Sequence, residues 1–247
     1  MDDGMLALER SRIEKAAADC GFELTPELEN DGLVLRSARF PECVRVQVAA
    51  PGRFLLTPSS GAILEGNVTG LHECVDGYDA LYEVLLSLAA KARTFPNRVA
   101  DTFRDRTASM PNTTEIERLV VQRVGQQLFR EALLDYWQGR CPVTGLAIPE
   151  LLRASHIKPW AVCNDDNERL DVYNGLLLAP QVDALFDGGW ATFEPNGELR
   201  LAVGVDRETM DALGLIRPLM TVSLSERHQS YLAFHRTHVF RDQATAP

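Results

Sequence analysis

A histidine and two aspartates in the middle of the chain have residue types and a spacing that suit catalysis. His156 lies near the end of residues 151–157, which alternate loosely and are stopped by Pro159, so this segment predicts a short strand. Asp183 and Asp187 are four residues apart, a spacing that projects both carboxylates from one face of a helix. An imidazole exchanges protons near neutral pH, and carboxylates are good ligands for hard metal ions.

The segments between these residues predict how they come together. Asn174-Gly175 is a turn dipeptide, and the apolar residues 176–178 predict a short buried strand. Pro180 suits the first position of a helix over residues 181–187, which a pair of glycines would close. The sequence therefore predicts a ββα unit in which one imidazole and two carboxylates converge.

Four short motifs follow one another through this stretch. They are Cys-x-x-Thr-Gly at 141–145, Ser-His-Ile-x-Pro-Trp at 155–160, Asn-Gly-Leu-x-Leu at 174–178 and Leu-Phe-Asp at 185–187. Together they resemble a branch of the HNH endonuclease family, also called the ββα-metal nucleases. The resemblance implies an α+β protein in which a helix-flanked ββα-metal nuclease domain hydrolyses phosphodiester bonds in DNA.

The resemblance also implies a role for each matching residue. His156 takes the position of the general base, which removes a proton from the water that attacks phosphorus. Asn174 takes the middle position, whose side chain ties down the loop and orients the base. Asp183 stands where the family usually has a metal-binding His, and Asp187 would be the second ligand of one divalent ion, Mg²⁺ or Mn²⁺. Ser155 stands where many relatives place a further metal ligand, and its hydroxyl would bind metal weakly.

DNA is the partner that the resemblance implies. Arg130, Arg140, Arg153 and Lys158 cluster in sequence around the site, and the last three are the candidate DNA-binding residues because cationic side chains meet phosphates. The formal net charge of −10 argues mildly against DNA binding but leaves room for a local basic groove. A single ββα site addresses one strand, so cutting both strands would need a homodimer. The resemblance further suggests a role in bacterial restriction or defence.

Two other functions stay open at this point. A DNA-binding protein on an inactive nuclease scaffold would account for Ser155, for the aspartate in place of the third His and for the acidic net charge. A hydrolase that uses Cys141 as its nucleophile would be insensitive to chelators, although a reactive thiol needs an electropositive setting. Metal-dependent cleavage of DNA would distinguish the endonuclease from both of these alternatives.

Composition predicts a globular protein of the cytoplasm. Hydrophobic residues make up 45% of the 247 residues, which allows a sizeable core. The five cysteines form no Cys-x-x-Cys pair, so neither a zinc ribbon nor a disulfide framework is indicated, and their odd number suits a reducing compartment. The N-terminal residues lack the apolar core of a signal peptide, and no apolar run approaches membrane-spanning length, so no membrane association is expected.

Residues 1–106 are predicted to form a small N-terminal α+β domain. The patterns predict helices over 9–20 and 79–92 and strands over 33–35, 43–48 and 54–56. Target recognition, nucleotide sensing, dimerisation and simple packing all remain open as its role.

Residues 107–113 are the predicted linker, and residues 114–247 the nuclease domain, with its ββα core at 150–189. Thr114 and Glu117 form a capping box for a helix to about residue 138. Its predicted apolar stripe consists of Ile116, Leu119, Val120, Val124, Leu128, Ala132 and Tyr136. Gly125 interrupts this helix and indicates a kink or a close approach.

A β-hairpin over residues 190–203 and a short helix over 206–213 are predicted after the motifs. A last helix over 225–240 places His228, Tyr231, His235 and His238 on one face. These histidines are compatible with a metal or phosphate site, and equally with solvated or half-buried side chains.

Overall fold

The computed structural model describes residues 7–29, 32–60, 63, 72–95, 97–215 and 219–242. The chain divides into two compact units, Met1–Pro96 and Asn97–Pro247. Helices and small antiparallel sheets occur in both, which confirms the predicted α+β class. No described helix combines the length and the apolar character needed to cross a bilayer.

The first unit is an antiparallel sheet with helices packed on one of its faces. Its elements are α1 (Ala7–Cys20), β1 (Leu24–Glu29), β2 (Gly32–Arg36), β3 (Val44–Ala50), β4 (Arg53–Pro58), β5 (Glu73–Asp76) and α2 (Tyr78–Thr94). The strands lie in the order β1-β2-β3-β4-β5. Val44 and Val46 are fully buried, whereas Arg45 and Gln47 alternate with them onto the other face. The predicted helices and β2 to β4 are confirmed, while the edge strands β1 and β5 were not predicted.

The second unit contains the predicted ββα stretch. Its elements are α3 (Arg98–Thr107), α4 (Glu115–Tyr136), β6 (Arg153–His156), α5 (Asp166–Arg169), β7 (Gly175–Leu178), α6 (Pro180–Asp187), β8 (Ala191–Phe193), β9 (Leu199–Leu201), α7 (Arg207–Ala212) and α8 (Glu226–His238). Helix α3 was not predicted, and its Val99, Ala100 and Phe103 lie in the core of this unit. The division between the units therefore falls at Pro96, ahead of the predicted linker at 107–113.

Helix α4 begins at the predicted capping box. Thr114 Oγ1 accepts from the Glu117 amide at 3.2 Å, and Glu117 Oε2 accepts from the Thr114 amide at 2.9 Å. Its buried residues are Gly125, Leu128, Phe129, Ala132 and Leu133. The predicted stripe is wrong for the first two turns, where Ile116, Leu119 and Val120 are 76%, 51% and 44% exposed. These turns precede the part of the helix that the core covers.

Gly125 marks a close approach between α4 and the segment after β6. A Cβ atom built on this residue would lie 2.9 Å from Cη2 of Trp160 and 3.3 Å from Cε2 of Phe103. Because real Cβ atoms essentially never show the first distance, only glycine lets the indole pack against the helix here.

The histidines of α8 are mainly packing residues. His235 is 1% exposed, its Nε2 donates to the Phe186 carbonyl at 3.1 Å, and its Nδ1 lies 3.0 Å from Thr192 Oγ1. His228 is fully buried and caps the start of the helix through Ser225. His238 is exposed and stacks on its own helix. The three side chains thus have separate partners and do not form the metal or phosphate site that their spacing allowed.

Candidate active site

Strands β6 and β7 form an antiparallel hairpin that presents His156 at the end of its first strand. The register pairs His156 with Gly175 and Ser155 with Leu176. All four residues of β7 are buried, and a Cβ at Gly175 would lie 2.5 Å from Cζ of Phe129. The predicted turn at Asn174-Gly175 is wrong, because Asn174 ends a 3₁₀ turn and Gly175 is the extended first residue of β7. Gly175 is instead the point where the hairpin packs directly on α4.

One nitrogen of the His156 ring is committed to the backbone. Nε2 lies 2.9 Å from the carbonyl oxygen of Arg169. Because a carbonyl oxygen can only accept, the neutral imidazole carries its hydrogen on Nε2 and keeps its lone pair on Nδ1. Strand β6 and helix α5, which lies in the connection between β6 and β7, thus select the tautomer in which Nδ1 can accept a proton.

Aromatic side chains hold the plane of this imidazole. The ring of Phe129 stacks on it, with centroids 3.9 Å apart and planes 16° apart, and Trp160 meets its edge at 5.4 Å. The resulting burial lowers the pKa of His156, while the Arg169 carbonyl and the charge of Asp187 oppose this shift. His156 is consequently neutral at physiological pH, as a general base must be.

Asn174 is fully buried and ties the loop between the two strands to the hairpin. Its Oδ1 accepts from the Lys158 amide at 2.7 Å, and its Nδ2 donates to the carbonyls of Lys158 at 3.2 Å and Glu168 at 3.0 Å. Glu168 directly precedes Arg169, so these bonds fix the carbonyl that receives the His156 hydrogen. Asn174 lies outside the pocket, and its role of orienting the base stays a prediction.

A pocket of about 450 Å³ collects the predicted catalytic and metal-binding side chains. Its lining residues are Gln126, Phe129, Arg130, Arg153, Ala154, Ser155, His156, Pro159, Trp160, Asp183 and Asp187. Asp183 and Asp187 reach it from α6, which begins at the predicted Pro180. Burial raises the pKa of Asp183, and the charge of Asp187 raises it further, while Ser155 and Arg153 oppose the rise. The Asp183 carboxylate thus lies where negative charge is penalised.

The donor set of this pocket fits a hard divalent cation. Ser155 is 4% exposed, and its Oγ has no hydrogen-bond partner of normal geometry in the described chain, although it lies near enough to the Asp183 carboxylate to lower its pKa. Within the described residues no group of three or more His, Cys, Asp or Glu is placed to hold a metal. Two carboxylates suit Mg²⁺, which keeps several waters and substrate phosphates as ligands, better than Zn²⁺, which requires more protein ligands.

The predicted DNA-binding cations are only partly brought to the pocket. Arg153 lines it, but Arg140 lies elsewhere and donates to the Gly145 carbonyl at 2.8 Å. Lys158 is also outside the lining, and its ammonium pairs with Glu168 at 2.6 Å. The sequence shows that these charges lie near the motifs. It does not show their hydrogen-bond and ion-pair partners, because these are set by the folded loops.

Arg130 is a pocket residue that the sequence did not select as a candidate. Its two terminal nitrogens donate to the carbonyls of Leu152 and Pro149, both at 2.6 Å, and no described carboxylate lies within ion-pair distance of it. The guanidinium is therefore held in place without being neutralised. Phe129, Trp160 and Gln126 were not predicted as candidate site residues either. For Phe129, the only sequence signal is its position next to Leu128 in the apolar stripe of α4.

Cys141 takes no part in the pocket. It is fully buried in the core of the second unit, and its sulfur accepts from the Thr144 amide at 3.5 Å. The described lining residues include no cysteine, so the alternative of a Cys141 nucleophile beside His156 has no geometric support.

The ββα unit places one imidazole and two carboxylates in one pocket. The family model described as HNH endonuclease matches residues 141–194, a segment that contains all four sequence motifs and runs through β8. The match confirms the resemblance and assigns this segment to the HNH endonuclease family. No match was found among curated proteins.

Proposed function

We propose that this chain is a metal-dependent endonuclease that hydrolyses phosphodiester bonds in DNA. The observation that carries the proposal is the orientation of His156. Its Nε2 is occupied by the Arg169 carbonyl at 2.9 Å, so the neutral ring keeps its lone pair on Nδ1, and His156 lines the same pocket as Asp183 and Asp187.

His156 acts as the general base in this proposal. Its Nδ1 accepts a proton from the water that attacks phosphorus, and the bond between phosphorus and the 3′ oxygen breaks. The imidazolium that forms keeps its hydrogen bond to the Arg169 carbonyl, and the nearby Asp187 carboxylate favours this charged form. Phe129 and Trp160 keep the ring in one plane, so the base does not have to be oriented during the reaction.

Asp183 and Asp187 would hold one divalent ion, Mg²⁺ or Mn²⁺, with Ser155 as a weak additional donor. When bound, such an ion supplies positive charge that stabilises the leaving 3′ oxygen. Its arrival would also relieve the charge repulsion that Asp187 exerts on Asp183.

Arg130 and Arg153 are the proposed phosphate contacts. Both line the pocket, and the backbone bonds of Arg130 hold its guanidinium in one orientation while leaving further N–H donors. This local positive charge offsets the acidic net charge of the chain at the place where DNA would lie.

The wider biological role is a further part of the proposal. A role in restriction or defence, with target recognition or dimerisation supplied by the first unit, agrees with a nuclease segment that fills only part of the chain. Cutting of both strands would require two copies of the site. Light scattering coupled to chromatography, with and without DNA, tests the homodimer, and a monomer in both conditions contradicts it.

The deciding experiment is cleavage of supercoiled plasmid by the full chain with Mg²⁺, Mn²⁺ or EDTA. We expect nicking with either metal, none with EDTA, and a loss of about 10² to 10⁴ in rate for His156→Ala, the usual contribution of a positioned base. His72→Ala removes an exposed histidine of the first unit and is the matched control. DNA binding without cleavage under every metal condition would favour the inactive scaffold instead.

A further inference from the structure

We propose that Lys158 is a positioning residue for His156 and that it acts through its ion pair with Glu168. The proposal deepens the function above and rests on it for its kinetic consequence. It replaces the role of DNA contact that the sequence predicted for Lys158.

The ion pair is mostly shielded from solvent. Lys158 Nζ lies 2.6 Å from Glu168 Oε2, and the two side chains are only 12% and 27% exposed. The same carboxylate also accepts from the amide of Asn164 at 2.8 Å and from its side chain at 3.1 Å. The ring of Phe234, on α8, lies 5.6 Å from the ammonium. Such a pair is far more restrained than an exposed surface salt bridge.

Residues 158 and 168 are joined twice. Asn174 binds both of their backbones, through the Lys158 amide and carbonyl and the Glu168 carbonyl, and the ion pair joins their side chains directly. Both links close the same loop of chain, from residue 158 to residue 168. Lys158 follows His156 by two residues, and Glu168 immediately precedes Arg169. The base and its acceptor carbonyl therefore lie just outside the two ends of this loop.

The ion pair therefore controls the hydrogen bond that selects the His156 tautomer. With both links intact, the Arg169 carbonyl lies 2.9 Å from Nε2. Without the side-chain link, the loop keeps its Asn174 bonds and the bonds of the Arg169 side chain to the carbonyls of Trp160 at 3.3 Å and Cys163 at 3.0 Å. It loses the direct tie between residues 158 and 168, and the Arg169 carbonyl can then move away from the ring. An imidazole that loses this acceptor populates both tautomers, and in one of them Nδ1 carries hydrogen and cannot accept a proton.

A DNA contact and a positioning role predict different measurements for Lys158. A lysine that meets a phosphate contributes to affinity and to the salt dependence of binding. The ammonium of Lys158 is already paired with Glu168 and lies outside the pocket lining. Its loss should lower kcat while leaving KM and the salt dependence of DNA binding unchanged.

The first test is independent of cleavage. Nitrogen-15 spectra of the histidine rings in the full chain, without metal or DNA, report the tautomer of His156. We expect the Nε2–H form alone in the unchanged protein and a mixture in Lys158→Met and in Glu168→Gln, with the Nε2–H form restored in Lys158→Arg. Lys15→Met, which breaks an exposed ion pair with Asp19 in the first unit, is the matched control. A single unchanged tautomer in all variants would overturn the proposal.

The second test follows cleavage and binding in the same variants. We expect kcat to fall about tenfold or more in Lys158→Met, with Lys158→Arg recovering most of it, because a misoriented base forfeits part of its usual contribution. The double variant Lys158→Met/Glu168→Gln should be no worse than the poorer single variant, since both act through one link. A raised KM with a weaker salt dependence would assign Lys158 to DNA contact instead.

Circular dichroism shows whether each variant folds. If Lys158→Met does not fold, the unchanged protein is compared with Lys158→Arg and Glu168→Gln instead. If the unchanged protein cuts no DNA, the ring spectra still decide the positioning role. Failure of this inference and failure of the proposed nuclease function therefore give different results.

Discussion

The Nε2 atom of His156 lies 2.9 Å from the carbonyl oxygen of Arg169, and this contact decides which nitrogen can act as a base. The acceptor belongs to the backbone, so it cannot ionise and keeps the same character at every pH. Burial of the ring lowers the pKa of His156, whereas this hydrogen bond opposes the lowering and selects the tautomer of the neutral ring. Burial therefore favours the neutral imidazole, and the hydrogen bond leaves its lone pair on Nδ1.

The rate of metal-dependent cleavage should rise with pH and level off below pH 6.5. Only the neutral imidazole accepts a proton, and burial lowers the pKa of His156 from its ordinary value of 6.5, so the base is already active at that pH. The measurement is kcat between about pH 5 and 8 at saturating Mg²⁺. A rate that keeps rising to pH 8 would mean that another group limits the reaction.

Asp183→Asn should stabilise the metal-free protein and abolish its response to Mg²⁺. Burial and the charge of Asp187 raise the pKa of Asp183, so folding penalises its charged form, and a neutral amide removes that cost. Mg²⁺ at about 100 times its Kd should stabilise the unchanged protein by about 3 kcal/mol. Thermal melting with and without metal checks both, and Asp211→Asn, on the exposed face of α7, should change neither.

Arg130→Met should weaken DNA binding and reduce cleavage. The change removes a guanidinium that two backbone carbonyls hold in the pocket, and the slope of log affinity against log salt should fall by about one. Binding is measured at several salt concentrations in a His156→Ala background, so that the DNA stays intact. Arg123→Met, which removes an exposed charge of α4, is the control, and an equal loss in both would contradict a specific role for Arg130.

Gly125→Ala should destabilise the second unit although alanine is the better helix former. The propensity gain is about 1 kcal/mol. The new Cβ would lie 2.9 Å from Trp160 and 3.3 Å from Phe103, and overpacking of this kind costs about 1 to 3 kcal/mol. Urea unfolding measures the net loss, with Gln127→Ala on the exposed face as control. The added change Trp160→Phe should restore stability. If Gly125→Ala instead stabilises the protein, the Trp160 side chain can move aside to make room for the new Cβ.

His235 should make the protein less stable as the pH falls from about 7 to 5. Burial lowers the pKa of this histidine from 6.5 to about 4, so between those values the unfolded chain binds a proton that the folded chain does not. The free energy of unfolding should therefore drop by about 2 kcal/mol at pH 5 through this residue alone. Urea unfolding at both pH values should show a smaller drop for His235→Gln, while His72→Ala should keep the full one.

Local patterns predicted the ββα unit well because each of its signals acts at short range. Pro180 begins α6 as expected, and the spacing of Asp183 and Asp187 brings both carboxylates to one pocket with His156. The four motifs resemble the HNH endonuclease family, and the family model matches the segment that contains them.

Features that depend on distant partners were not readable in the same way. Lys158 carries a charge that the sequence shows, but its pairing with Glu168 arises only after the loop folds. The acceptor for His156 is a carbonyl, and every residue has one, so no side chain marks it. Helix α3 is mostly polar and buries only Val99, Ala100 and Phe103, which leaves too weak a pattern to predict.

Helix α4 ends before the segment that matches the family model begins, yet its Phe129 stacks on His156 and its Arg130 lines the pocket. On the other side of that segment, His235 of α8 binds the Phe186 carbonyl at the end of α6. The segment that carries the motifs therefore does not contain the whole site. A chimera that transplants this site into another protein has to take the chain from Asn97 onward, through α8.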